Sequence, residues 1–232
     1  CELGQRTSRT APEDLAENLL RLDMPDLAVS QIRANGRLLV EDKIALKFAL
    51  RLWLYADDHN QVEQKNIARM LYLQSKPISF FYQSDPIDIY RYNESYSLLQ
   101  AWSDVAPLFE DCDSIIAQIK NLHFQTNEYG EKVDDAELKA GLIYQALITV
   151  IGTGLDINNI ERLLDEIEGL GSCTLRFAAL LNLAKQNPQS ITFGTLETAY
   201  RDSGRDDDID LAYANFLYYQ GYYKEAKEIV SR

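Results

Sequence analysis

The chain has 232 residues, 46% hydrophobic and 25% charged, which is enough apolar material for a core and excludes intrinsic disorder. Its net charge of −13 repels nucleic-acid phosphates and anionic lipid headgroups, and two His and three Cys leave little material for a metal site. Eleven Gly and six Pro are too few for turn-rich sandwiches, barrels or doubly wound sheets, so helices with short connections are predicted.

Residues 1–11 are polar and without apolar period, and read as an exposed tether. Pro12, Glu13 and Asp14 suit the first turn of a helix in which Leu15, Leu19 and Leu22 repeat at 4 and 3. Pro25 opens a second helix with Leu27, Ala28 and Ile32 inside, ended by Asn35-Gly36. Ile44–Leu54 is apolar on nearly every side, so neighbours must cover it, and a helix over Val62–Leu73 follows. Pro77 and Asp85-Pro86 punctuate a break, after which helices are predicted over 86–102 and 105–122. The polar stretch 123–133 reads as a loop between an N-terminal helical region, 12–122, and a C-terminal one, 134–232. Further helices are expected over 136–150, 157–167, 175–184, 193–201, 209–220 and 222–231, giving about 11–12 in all and no strand. The most apolar windows, 44–56 and 142–155, are shorter than the ~20 residues a bilayer needs.

Two segments share a spacing. One is Leu15-Ala16-x-x-Leu19, then Asp23, Ala28 and Ile32; the other is Tyr213-Ala214-x-x-Leu217, then Gly221-Tyr222, Ala226 and Val230. A small residue beside a large one, with a second Ala twelve positions on, resembles the tetratricopeptide repeat. The resemblance implies an all-α fold, a solenoid of helical hairpins. It covers about twenty residues at each end; Ala49, Ala178 and Ala179 have Gln61, Ser190 and Ile191 as partners, so the middle repeats are degenerate.

The chain as given begins with Cys1, followed by the polar tether, and so resembles a mature bacterial lipoprotein. That resemblance implies acylation of Cys1, and Glu2 after it implies sorting to the outer membrane, on its periplasmic side. Several acyl chains on one residue would anchor stably, since each buried methylene contributes about 0.8 kcal/mol. With Cys1 set aside, Cys112 and Cys173 form an even pair. In an oxidising periplasm they could bridge, closing a loop worth roughly 4 kcal/mol, or remain two free thiols.

Chemical motifs are sparse. Gly152-Thr153-Gly154 superficially resembles a dinucleotide-binding turn, but its third Gly would fall at Ile157, and a helix–helix turn is the simpler reading. The acids Asp202, Asp206, Asp207, Asp208 and Asp210 suit helix capping better than calcium. No catalytic residues, cofactor or metal ligands are assigned, and the chain is expected to be non-enzymatic. The fourteen Tyr are the most unusual feature. Tyr218-Tyr219 ends one predicted helix and Tyr222-Tyr223 begins the next across Gly221. Successive helix positions differ by about 100°, so four rings at one corner cannot all point inward. These four are the candidate partner-binding residues. The expected function is a helical-repeat scaffold or assembly lipoprotein of the bacterial envelope, resembling secretin pilotins and pilus-assembly factors. Its protein partner would present a basic surface; neither nucleic acid nor a small-molecule substrate is indicated. The alternatives are a cytosolic adaptor of the same fold and, less favoured, an all-helical enzyme.

Overall fold

A computed structural model describes residues 12–34, 42–81, 87, 93–124, 135–154, 156–204 and 206–231. The tether 1–11 and nearly all of the expected loop 123–133 lie outside the described residues. The fold is all-α. In chain order the helices are α1 (Pro12–Arg21), α2 (Pro25–Ala34), α3 (Asp42–Asp58), α4 (Val62–Ser75), α5 (Ile78–Phe81), α6 (Asn93–Val105) and α7 (Cys112–Lys120). There follow α8 (Asp135–Thr153), α9 (Ile157–Gly169), α10 (Cys173–Gln186), α11 (Phe193–Asp202), α12 (Asp207–Tyr219) and α13 (Tyr223–Val230). No strand occurs among the described residues, and no helix there is long and apolar enough to cross a membrane.

Three boundaries differ from the sequence reading, the first being the short helix α5, which lies within the break expected between Pro77 and Pro86. Ile87 does not open the helix expected from Pro86; it is buried and forms an isolated parallel bridge with Phe124, its N–H donating to the His123 carbonyl at 2.7 Å. The helix expected over 105–122 is broken. A 3₁₀ turn, Ala106–Leu108, carries Pro107, and Asp111 then caps α7 by accepting from the Ser114 N–H at 2.8 Å. A proline removes a donor and an Asx cap offers a fresh start, so one apolar period is divided into two elements.

The chain forms two compact units, Cys1–Ile78 with Ser97–Phe109, and Ser79–Tyr96 with Glu110–Arg232. In the first, α1 packs on α2 and α3, and α3 on α4. Its core includes Leu46, Leu52, Leu99 and Trp102, and the Trp102 indole donates to the Tyr72 hydroxyl at 3.1 Å. In the second, α8 packs on α7, α9 and α10, α10 on α11 and α12, and α12 on α13. Its core runs from Ile115, Ile119, Leu142 and Ile143 to a cluster around Phe177, Leu196, Tyr200, Tyr213 and Leu217.

One helix-to-helix junction recurs four times. A residue of positive φ closes the first helix of each pair: Asp23 (59°), Asn60 (54°), Gly171 (79°) and Gly221 (86°). The amide after it reaches back five residues, Met24 to Leu19, Gln61 to Ala56, Ser172 to Ile167 and Tyr222 to Leu217, at 2.8–3.3 Å. The residue's own amide reaches back three. This is the Schellman arrangement, which needs a left-handed residue; Gly supplies it freely, and Asn and Asp tolerate it. Seven residues before and five after this position lie Ala16 and Ala28 in the first junction and Ala214 and Ala226 in the last, all buried. The same two positions hold Trp53 and Lys65 in the second junction, and the Lys65 ammonium sits 5.0 Å from the Trp53 ring. The two positions thus pair across the helices with different chemistry.

Candidate functional site

The tyrosine corner is built by α12, its closing turn and α13. Asp206 caps α12 by accepting the Ile209 N–H at 2.8 Å, and Asp207, Asp208 and Asp210 fill the first turn, where negative charge meets the positive end of the helix dipole. The acids of 206–210 therefore do capping work, as their pattern suggested. The inward face of α12 buries Ile209, Tyr213, Ala214, Phe216 and Leu217. Gly221 then reverses the chain.

All four candidate rings lie outside this core. Tyr218 is 58% exposed, Tyr219 84%, Tyr222 44% and Tyr223 62%. Three of them form a surface cluster: Tyr218 meets Tyr219 edge-on at 5.8 Å between ring centroids and Tyr223 at 5.2 Å. Tyr222 stacks on Phe193, the first residue of α11, at 5.0 Å and 30°. Phe193 was not among the candidates. Its position just after the capping Thr192 marks a helix start, but nothing in its spacing links it to a residue twenty-nine positions on. Exposed aromatic rings held against one another present rigid, apolar, hydrogen-bonding area at little entropic cost.

The cysteines are placed differently from one another. Cys112 is buried at the start of α7, and burial together with Asp111 and Asp113 pushes its thiol pKa above the ordinary value. Cys173 is exposed at the start of α10. Both are free thiols in this structure. Cys1 lies outside the described residues. Gly152 and Thr153 end α8 and Gly154, at φ 67°, turns the chain toward α9, so this segment is a helix–helix connection.

No protein family, curated protein or solved structure matches this chain.

Proposed function

We propose that the chain is a non-enzymatic helical-repeat scaffold that docks a protein partner on the tyrosine corner between α12 and α13. The observation that carries this reading is four tyrosines at one turn, each 44% exposed or more, three of them in ring contact and the fourth stacked on Phe193. Tyr is enriched among residues that dominate binding energy. The net charge of −13 favours a partner with a basic contact surface. The repeat type proposed is tetratricopeptide-like, supported by the four equivalent junctions and the buried Ala pairs. In this reading the protein serves assembly or secretion machinery of the bacterial envelope, in the manner of a pilotin, held at the periplasmic side of the outer membrane by an acylated Cys1.

Two measurements test it. A photo-reactive residue at position 219 should give one discrete protein adduct in the source cell, weakened by salt, whereas the same residue at exposed Val62 should not. Absence of an adduct from 218, 219, 222 and 223 alike would remove the docking claim. Mass spectrometry of the protein from its own membrane should show diacylglycerol and an amide-linked acyl chain on Cys1; an unmodified Cys1 would remove the anchor.

A further inference from the structure

Behind the tyrosine corner, α11, α12 and α13 enclose a cleft of about 300 Å³. Phe193, Tyr213 and Ile229 supply apolar wall, and Glu197, Arg201, Glu225 and Glu228 supply charge. Arg201 is already engaged: its Nη2 bonds the Glu197 Oε1 at 2.5 Å, one helical turn away. Glu225 and Glu228, three apart on α13 and so on one face, have no cationic partner among the described residues. Among the described residues, no group of three or more His, Cys, Asp or Glu could hold a metal ion. The surplus negative charge beside an apolar wall suits the head and stem of a basic side chain.

An independent feature points the same way. Tyr213 is only 2% exposed, yet its hydroxyl has no hydrogen-bond partner. The ring is fixed, edge-on to Phe177 at 5.6 Å and tilted on Tyr200 at 4.4 Å. The Tyr200 hydroxyl donates its proton to Asp210 at 2.6 Å, so it has none left to donate to Tyr213. The phenol end of Tyr213 lies within electrostatic reach of Glu197 and Arg201, both of which line the cleft. Burial first, then Glu197 and Tyr200, push its ionisation up to about 12 against the opposing Arg201, so it stays a neutral hydroxyl able to donate and to accept. A buried hydroxyl without a partner is a cost that folding alone does not repay.

We infer that this cleft receives the side chain of an arginine or lysine from an extended segment of the docked protein partner. This rests on the docking reading above and specifies what the partner presents. The apolar wall takes the methylene stem while Glu225 and Glu228 take the charged head. The Tyr213 oxygen accepts one further N–H. Phe193 lines the cleft and also stacks on Tyr222, so one ring borders both the cleft and the tyrosine corner. Arg201 then acts as a resident competitor, holding Glu197 until a guest cation arrives.

Isothermal titration of the full chain tests this with a short acetylated, amidated peptide carrying one arginine flanked by leucines. The same peptide with citrulline, a neutral isostere, is the control, and agmatine supplies the free head and stem. The arginine peptide is expected to bind about tenfold or more tightly than the citrulline peptide. Glu225→Gln and Glu228→Gln should each weaken it by about tenfold, with helical circular dichroism unchanged. Tyr213→Phe should also weaken it, and Arg201→Gln should tighten it by removing a like charge. A structural role alone predicts no gain from Arg201→Gln. No measurable binding, equal binding of arginine and citrulline, or indifference to both glutamines overturns the inference; agmatine binding as tightly as the peptide overturns its peptide origin. If a Glu variant unfolds, the citrulline control and Arg201→Gln still decide. A Tyr219 adduct that persists while the arginine peptide fails to bind sinks the cleft alone, whereas loss of the adduct in the unaltered protein sinks the docking reading itself.

Discussion

Tyr213→Phe deletes a buried hydroxyl that bonds nothing, and the variant is expected to be more stable by about 1 kcal/mol in thermal or denaturant unfolding. A clear loss of stability would show the hydroxyl to be satisfied. Asp104 is a second strained group. Burial raises its pKa from 3.8 to about 6, with Lys47 opposing. The folded state therefore binds its proton more tightly than the unfolded chain, and the contribution of Asp104 to stability falls as pH rises from about 4 to about 6, then stays lowered. Asp104→Asn should remove this decline and stabilise the protein at pH 7 by about 1–2 kcal/mol, read from unfolding at pH 4 and pH 7. An equal effect at both pH values would refute it. The two described thiols also separate: an alkylating reagent should label Cys173 in the native protein and Cys112 only after unfolding, as peptide mapping would reveal.

At the scale of elements, the junctions invite direct comparison. Gly221 sits at φ 86°, where a Cβ is disfavoured, so Gly221→Ala should cost about 1–2 kcal/mol in urea unfolding. Asn60→Gly, at an equivalent position, should cost little, because Asn already tolerates φ 54°. Equal effects would mean the two turns are not equivalent. Sequence spacing made most helices legible, since an apolar face repeating at 3 and 4 is what packing demands. It also located the exposed corner, because adjacent ring-bearing positions cannot share one buried face. It failed at Pro107 and Ile87, where one proline and one long-range bridge override local period. The internal repeat was half legible. Ala marks it in the first and last junctions, but Trp53 with Lys65, and Leu164 with Arg176, stand at the matching positions of the other two. What recurs there is a main-chain bond pattern, which many side chains permit. The cleft was not legible, because Glu197, Tyr213 and Glu228 belong to three helices and no local spacing links them.

For the molecule as a whole, charge dominates. With 36 acids against 23 bases, self-repulsion opposes compaction, and salt at physiological strength should stabilise the chain relative to very low salt. A melting temperature that falls over that range would contradict it. The recurring junction bears on something else, the way such a chain can be lengthened by descent. Asp23 and Asn60 stand 37 residues apart, Gly171 and Gly221 stand 50 apart. Each junction closes through its own amides and carbonyls, so inserted or deleted residues between junctions leave them intact. A change in the spacing between junctions therefore leaves each junction's own bonds in place, provided one residue per pair keeps the left-handed conformation.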